Sequence, residues 1–594
     1  MPDQASDSHA GQVTRRDGDR LLAATARGLW APLAVTAAAV ALSTAAALAL
    51  PAALATAVDG VVSGEGARAA GFLALVLAVA TCADLIGALA GAVTTASATA
   101  SLRLRFTSHL LRLDAAAARR LPAGELANRL VSNTASAGRV PLTLLYTAAE
   151  IISTSGGIVM LLVTDWRSGI AFLVGIPVAL VIVRLFVTRL SGVYERYQSA
   201  HGRLAARLTD TLAGIRTVRA SGTADREITR VLRPLTDLSD AGHAMWRAQA
   251  RGVWQITLLL PVIEVLVLIV AGLGVTDGRL QPGQLLAVAG YAAMGVGFIE
   301  QVDALLGVAE ARAAARRIQE VLVLPPLVPG TRPLPDGPGA LSFRGVTVTR
   351  EGSHLLDAID LDIAPGVLTA LVGPSGAGKS TLAMLAGRLL DPERGQVLLD
   401  GRDLADVAPE ALSGAVAYAF ERPVLLGGDL ASAIAYGRPA LDRDSVREAA
   451  RAAHVDDVIR RLPEGYDTPA ATAPLSGGEF QRLGLARAMV RRARLTVLDD
   501  ATSSLDTATE AQVTRTLVEG MRGTTRLVIA HRAATAARAD QVVWLDGGRI
   551  RGRGTHRALW QDLAYRALFA IGPDPGGDAG DDSSWSEESC PARL

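Results

Sequence analysis

The stretch LTALVGPSGAGKSTLAML, residues 368–385, decides the fold of the C-terminal part of this 594-residue chain. An apolar strand pattern runs into a glycine-rich loop, and a helical pattern follows. Gly373, Gly378, Lys379 and Ser380 fit the spacing G-x-x-x-x-G-K-[ST] in that context. Glycines there let backbone N–H groups turn toward a phosphate, and the helix N-terminus adds positive partial charge. The stretch therefore predicts a nucleotide site in an α/β domain.

Two side chains of this loop have specific predicted roles. Lys379 bridges the β- and γ-phosphates of ATP, and the Ser380 hydroxyl is a ligand of Mg²⁺. Lys379 is the one lysine among 59 basic residues, which fits a position where arginine does not replace a compact point charge. The residues of the loop predicted to bind the cofactor are Gly373, Pro374, Ser375, Gly376, Ala377, Gly378, Lys379, Ser380 and Thr381.

A second apolar strand ends in two acids, in RLTVLDDATSSLD at residues 494–506. Nucleotide hydrolases use such a pair to hold Mg²⁺ and to aim a water molecule. We predict that Asp499 supports the metal, together with Ser380. Asp500 follows at the position of the acid that aims the water.

The N-terminal half is apolar enough to be a membrane domain. Half of all residues are hydrophobic, 20% are charged and the mean hydropathy is +0.30. Apolar segments of about the ~20 residues needed to span a bilayer lie at 30–58, 69–99, 140–164, 168–190, 253–276 and 283–308. The fold class predicted is an all-α transmembrane domain of six helices with long cytoplasmic extensions, followed by an α/β P-loop domain.

Arginine placement predicts the orientation in the bilayer. The short loops between segments contain only Arg68, Arg167 and Arg279, whereas the long stretches after segments two and four are arginine-rich. The positive-inside rule makes the N-terminus, these stretches and the ATP-binding domain cytoplasmic. We predict a multi-pass cell-membrane protein with a buried soluble bundle as the weaker alternative.

Composition also sets the domain boundaries. Residues 321–339 are rich in proline and glycine, and the C-terminal end carries six acids opposed only by Arg593. We predict, in chain order, a cytoplasmic segment at 1–28, the transmembrane domain at 29–320, a linker at 321–339, the ATP-binding domain at 340–570 and a disordered tail at 571–594. Cys82 and Cys590 form no disulfide or zinc pattern. A net charge of +1 gives no support for a nucleic-acid partner, and none is predicted.

A third motif, LSGGEFQR at 475–482, together with the P-loop resembles the signature of ATP-binding cassette (ABC) proteins. The whole order over residues 30–570 resembles a half-transporter of the ABC exporter type. PAGELANRL at 122–130 and LAGIRTVRASGTADRE at 212–227 look like intracellular-loop motifs of that family. SSLD at 503–506 and VIAHR at 528–532 look like its D-loop and H-loop.

The resemblance implies a dimer in which one chain's P-loop and the other chain's signature hold each ATP. Ser476, Gly477, Gly478 and Glu479 then serve the partner's nucleotide, because a helix N-terminus binds anions. The resemblance also implies that Asp506 belongs to the ATP site and that His531 contacts the γ-phosphate. Loops between helices two and three, and four and five, are expected to touch nucleotide domains.

The sequence departs from the family pattern at catalytic positions. Asp500 replaces a Glu that polarises the attacking water, and its carboxylate is one methylene shorter. Glu421 replaces a Gln that is a metal and water ligand, and we predict that Glu421 belongs to the metal site with Ser380 and Asp499. Arg350 replaces an aromatic residue that stacks on adenine, and its guanidinium plane is able to stack instead. YDTPAATAPLSGG, before the signature, is shorter than the family's loop and lacks its acid.

We therefore predict a chain that binds ATP but hydrolyses it slowly at its own site, with Asp500, Glu421 and His531 as the catalytic set. A heterodimer with a second half-transporter is favoured, and a homodimer is the alternative. The cargo predicted is an unidentified small molecule, lipid or peptide. Two other functions stay open, namely an ATP-binding regulatory or gating subunit and an inward, siderophore-type transporter.

Acids within the apolar segments offer one clue to the cargo. Such acids are costly in a bilayer unless they face a cavity or are paired. They are Asp84, Glu150, Glu264, Glu300 and Asp303. A cavity for cationic or amphipathic cargo and simple interhelical pairing are the two interpretations.

Overall fold

The computed structural model describes residues 14–64, 66–119, 121–297, 301–350, 353–438, 440–503, 507–521 and 523–569. These residues form two compact units. The helical unit comprises the described residues from 14 to 111 and from 122 to 324. The sheet unit comprises residues 112–121 and the chain from 325 onward. The acidic tail at 571–594 lies outside the described residues, and the predicted domain boundaries stay predictions.

The helical unit consists of long helices and several short ones. In chain order they are α1 (Arg15–Gly28), α2 (Trp30–Ser63), α3 (Gly66–Leu110), α5 (Ala123–Asn128), α6 (Thr134–Thr164), α7 (Trp166–Ala213), α8 (Ile215–Ala220), α9 (Ala224–Leu232), α10 (Leu235–Thr276), α11 (Pro282–Val296) and α12 (Gln301–Leu322), with α4 (Ala115–Arg119) belonging to the sheet unit. The 45 residues of α3 extend for roughly 68 Å at ~1.5 Å per residue. That length exceeds a hydrocarbon core of ~30 Å, so α3 continues beyond the bilayer.

Within the described residues, five stretches of helix are long and apolar enough to cross a membrane. They contain the first five predicted segments. The sixth, at 283–308, falls on α11 and the start of α12, with residues 298–300 outside the description.

Four helices meet in one apolar core of the helical unit. Leu161 of α6, Phe172 of α7, Val267 of α10 and Tyr291 of α11 are almost completely buried there. The Tyr291 hydroxyl donates a hydrogen bond of 3.2 Å to the backbone oxygen of Leu48. This bond satisfies a polar group that would otherwise be stranded among apolar side chains.

The sheet unit contains two sheets among its described residues. One has four antiparallel strands in the order β2-β1-β4-β5, and the other has six in the order β10-β9-β3-β8-β7-β6. The strands are β1 (Leu341–Arg350), β2 (Ser353–Ile363), β3 (Leu368–Val372), β4 (Arg394–Leu399), β5 (Arg402–Asp403), β6 (Val416–Phe420), β7 (Leu495–Asp499), β8 (Thr525–Ile529), β9 (Gln541–Asp546) and β10 (Arg549–Gly554). Strands β6 to β9 and β3 pair in parallel, and only β10 is antiparallel. Every residue of β3 and β8 is buried, as expected for parallel strands covered on both faces.

Short helices cover the six-stranded sheet. They are α13 (Lys379–Leu385), α14 (Pro409–Ala415), α15 (Leu430–Ile434), α16 (Arg443–Ala452), α17 (Asp456–Arg461), α18 (Gly477–Met489), α19 (Thr507–Arg515), α20 (Ala533–Ala537), α21 (His556–Leu559) and α22 (Leu563–Ala567). One apolar core lies between the two sheets around α13, and a second lies on the other face around α16 and α18. The prediction of a helical domain followed by an α/β domain is therefore confirmed.

The segment 112–121 is part of the sheet unit although its neighbours in sequence belong to the helical unit. The Ala115 amide, at the start of α4, donates a hydrogen bond of 3.0 Å to the oxygen of Leu389. The Leu327 amide donates one of 2.8 Å to the oxygen of Arg112. Backbone bonds thus fix both this segment and the first residues of the predicted linker.

Asp400 anchors the entry into β1. Its Oδ1 accepts hydrogen bonds from the amides of Gly339 and Ala340 at 2.8 and 2.9 Å. Its Oδ2 lies 3.2 Å from Nη1 of Arg494, and only 4% of the Asp400 side chain is exposed. Arg494 also pairs at 2.9 Å with Asp336, whose side chain is fully exposed. One arginine therefore has a buried and an exposed carboxylate partner.

We predict that Asp400→Asn lowers the free energy of unfolding of the sheet unit by about 1–3 kcal/mol, because a buried partner of Arg494 is lost. The matched change Asp336→Asn removes the exposed partner and is expected to cost less than about 1 kcal/mol. Thermal unfolding of the intact chain in detergent measures both. Equal losses for the two variants would contradict the difference assigned to burial.

Candidate functional site

The loop between β3 and α13 is a phosphate cradle that only glycines can form. Gly376 and Gly378 have φ of 83° and 95°, in the left-handed region. A Cβ on Gly373 would lie 2.1 Å from the oxygen of Leu545, and one on Gly378 would lie 2.8 Å from the oxygen of Leu355. At Gly373 and Gly378 the backbone therefore passes too close to neighbouring carbonyls for any side chain.

Lys379 lies inside this loop, with 7% of the residue exposed. Its Nζ donates hydrogen bonds of 2.9 Å to the oxygens of Gly373 and Pro374. Burial lowers the pKa of Lys379, and the nearby carboxylates of Asp500 and Asp499 oppose that shift. The ammonium group is thus held at the loop and faces both acids.

Ser380 and Asp499 bring two oxygen ligands together. The Ser380 hydroxyl donates a hydrogen bond of 3.1 Å to Oδ1 of Asp499, the last residue of β7. A hydroxyl and a carboxylate next to a phosphate loop suit a hard cation such as Mg²⁺, which prefers oxygen ligands. These residues fit the predicted metal site.

Asp500 has an unusual backbone and a crowded electrostatic environment. Its φ is 55°, and its Oδ2 lies 3.8 Å from Nε2 of His531, two residues past the end of β8. Burial raises the pKa of Asp500, and the carboxylate of Glu421 adds to this effect. His531, Lys379 and Arg532 lower it. The predicted catalytic residues Asp500, Glu421 and His531 are therefore within electrostatic reach of one another.

Glu421 follows β6, and 53% of its side chain is exposed. Its Oε1 lies 3.7 Å from Nε of Arg422. Its backbone oxygen accepts a hydrogen bond of 2.9 Å from Nε2 of Gln481. The loop after β6 is thus attached to α18, a link that the sequence did not predict. No sequence pattern marks the role of Gln481, although it stands in the quoted signature.

The signature residues begin α18. The Ser476 side chain accepts a hydrogen bond from the Glu479 amide at 3.4 Å, and the Glu479 carboxylate accepts one from the Ser476 amide at 2.7 Å. This backbone bond holds the pKa of Glu479 below its usual range. Open space surrounds the Cα of Gly477. Among the described residues, the hydrogen bonds of the Ser476 and Glu479 side chains stay within this motif, away from the P-loop.

The other predicted cofactor residues divide into three groups. Pro374, Ser375 and Gly376 are exposed on the P-loop, Ala377 and Thr381 are buried, and Gly478 lies in the first turn of α18. Arg350 ends β1, with a side chain outside the description. Asp506 lies outside the described residues.

Two of the acids in the apolar segments share a cavity of about 250 Å³ in the helical unit. Asp84 and Glu150 line it with Ser43, Tyr146 and Ser153. The Ser43 hydroxyl donates a hydrogen bond to Asp84. Glu264 does not line this cavity. Glu300 and the side chain of Asp303 are outside the description.

Family models match both parts of the chain. The model described as ABC transporter transmembrane region matches residues 33–297, and the model described as ABC transporter matches residues 356–503. The second match contains the P-loop, the signature, Asp499 at the end of β7 and Asp500 after it.

Individual proteins match along most of the chain. The ABC transporter ATP-binding protein RamA of Streptomyces coelicolor is 45% identical over 475 residues, covering 80% of this chain and 75% of RamA. The ATP-dependent lipid A-core flippase of Chromobacterium violaceum is 32% identical over 481 residues, covering 79% and 81%. The solved structure of a bacterial Atm1-family ABC exporter with ATP bound matches with a TM-score of 0.70 and 27% identity, covering 93% of this chain and 99% of that one.

These matches show that one chain contains both the ABC transporter region with the P-loop and a membrane region of several apolar helices. The chain has the architecture of a half-transporter and is a multi-pass membrane protein. It belongs to the ABC transporter family, with the exporter-type fold, and is an ATPase coupled to transport.

Proposed function

We propose that this chain is one half of a dimeric exporter that moves a small molecule, lipid or peptide outward across the cell membrane. Its similarity to a lipid A-core flippase and to an Atm1-family exporter supports outward movement. In this proposal ATP binding closes the nucleotide dimer and opens the substrate cavity outward, and hydrolysis resets it.

The nucleotide in this proposal is ATP with Mg²⁺. Lys379 neutralises phosphate charge, and Ser380 and Asp499 hold the cation. When bound, Mg²⁺ supplies charge stabilisation to the transferred phosphoryl group. The short distance between the two oxygens supports this assignment.

Slow hydrolysis at this chain's own site is the second element of the proposal. The observation that carries it is the position of the Asp500 carboxylate. This carboxylate lies 3.8 Å from Nε2 of His531, on a side chain one methylene shorter than Glu. A general base must lie within hydrogen-bond reach of the proton it removes, and a displacement of about 1 Å can lower a rate ~100-fold. The neighbouring Glu421 adds a second negative charge, which disfavours ionisation of Asp500.

A different half-transporter is the partner we propose. Ser476, Gly477 and Gly478 open a 13-residue helix, and such an N-terminus binds a phosphate well. In the proposed dimer it binds the γ-phosphate held by the partner's P-loop. The chain has an intact signature but an altered catalytic acid. This combination fits a chain whose signature completes a competent ATP site on its partner. A homodimer is the alternative.

Two other functions use the same site. A regulatory or gating subunit would bind ATP without productive turnover, as the altered Asp500 permits. An inward transporter would share the fold and reverse the direction of cargo. Transport into sealed inside-out vesicles distinguishes export from both.

We predict that Ser380→Ala weakens ATP binding in the presence of Mg²⁺ by about tenfold or more, since one oxygen ligand is lost. Binding in EDTA is expected to stay the same. Ser375→Ala, in the same loop, is the matched control and retains the Mg²⁺ dependence. Titration with a fluorescent ATP analogue measures the affinity of the natural chain and of both variants, with Mg²⁺ and in EDTA. An equal loss with and without Mg²⁺ would argue against a metal-binding role.

Asp500→Glu is expected to raise the single-turnover rate of ATP hydrolysis ~10- to 100-fold, because the carboxylate gains the missing methylene. Asp500→Asn, which removes the base, is expected to be no faster than the natural chain. Rapid-quench measurement with radiolabelled ATP gives the rates. A natural chain as fast as the Glu variant would refute the slow site.

Purification of the tagged chain at native expression levels is expected to bring down a second half-transporter with Glu at the position of Asp500. Mass spectrometry of the purified complex identifies it. Adding that partner is expected to raise steady-state ATPase activity at least ~10-fold, since one composite site then has a full-length base. Recovery of this chain alone, with full activity, would establish the homodimer instead.

A further inference from the structure

Gln481 is a buried amide that joins two loops of the ATP site. Only 2% of the residue is exposed, and it lies in the second turn of α18. Its Nε2 donates hydrogen bonds of 2.9 Å to the backbone oxygen of Glu421 and of 3.0 Å to the Ser503 hydroxyl. A carboxamide nitrogen carries two hydrogens, so it serves both acceptors at once.

Two further contacts of α18 hold the same loop after β6. A Cβ on Gly484 would lie 2.8 Å from Cβ of Pro423, which shows how closely that loop approaches the helix. Nη1 of Arg487 donates a hydrogen bond of 2.8 Å to the oxygen of Val424. Gln481, Gly484 and Arg487 are spaced by three residues and share one side of the helix. We call these three residues the clamp face.

The clamp face and the signature are parts of one short helix. Gln481 lies four residues after Gly477, roughly 6 Å along the axis. A helix of this length moves as a rigid element, so a displacement of its first turn reaches the loop that starts at Glu421. Ser503, the other acceptor of Gln481, in turn donates a backbone hydrogen bond of 3.3 Å to the oxygen of Asp500. The contacts therefore run without a break from the signature to the catalytic acid.

We propose that the clamp face positions the Glu421 loop and Ser503 for hydrolysis, with Gln481 as the positioning residue. Engagement of a phosphate at Ser476 is thereby linked to the geometry around Asp500 in the same chain. This inference rests on the proposed roles of Ser476 and Asp500. It distinguishes Gln481 from a residue that only stabilises the fold, since it predicts a loss of rate without a loss of nucleotide affinity.

The test uses the full chain in nanodiscs, in both the natural and the Asp500→Glu backgrounds. Gln481→Leu removes both donors, and Gly484→Ala independently pushes Pro423 away from the helix. Arg492→Gln is the control, because Nη2 of Arg492 donates a hydrogen bond of 3.0 Å to Oε2 of Glu448, outside the signature and both loops. Thermal unfolding, affinity for an ATP analogue and the single-turnover rate are measured for each variant.

We expect Gln481→Leu and Gly484→Ala to lower the single-turnover rate ~10- to 100-fold, with affinity within about twofold of the parent. Arg492→Gln is expected to leave the rate within about twofold of the parent. Adding Ser503→Ala to Gln481→Leu is expected to lower the rate by less than the product of the two single effects, because the residues act through one bond.

Three results would overturn the inference: unchanged rates in both clamp-face variants, rate losses matched by losses of affinity, or an equal loss in Arg492→Gln. Failure of Asp500→Glu to accelerate hydrolysis would count against the slow site alone. The effect of Gln481→Leu relative to its own parent would still decide the role of the clamp face.

Discussion

The parallel ladder of β3, β8 and β7 is the constraint on which the ATP site depends. These strands are buried along almost their whole length and are hydrogen-bonded in register, so their carboxyl ends reach one edge of the sheet. Lys379 and Ser380 follow the first strand, Asp499 ends the last and His531 follows the middle one. Residues more than 100 positions apart meet because the strands pair in parallel and therefore end at the same edge.

Charge balance at that edge is the second determinant. Lys379, His531 and Arg532 stabilise the ionised form of Asp500, whereas burial and Glu421 oppose it. A bound ATP brings further negative charge, so every carboxylate near the phosphates raises the electrostatic cost of the site. The family pattern has a neutral Gln where this chain has Glu421. Glu421 therefore disfavours ionisation of Asp500, the same residue whose side chain is one methylene shorter than Glu.

Sequence patterns predicted the local parts of this structure well. The P-loop, the two acids at the end of β7 and the apolar spans each have a signal within some 20 residues, and the predicted order of a helical part followed by an α/β part is confirmed. The clamp face had no such signal, since the bonds from Gln481 to Glu421 and Ser503 span 60 and 22 residues. The positive φ of Asp500 could not be predicted from the sequence either, because no neighbouring residue requires a left-handed backbone there.

The placement of residues 112–121 has a consequence for how the protein can be divided. The chain passes between the two units at 111–112, at 121–122 and at 324–325. A fragment starting at 325 would lose the partner of the Leu327 amide and leave the Leu389 oxygen without its donor. A single cut at 325 therefore gives an ATP-binding fragment that lacks part of its own compact unit.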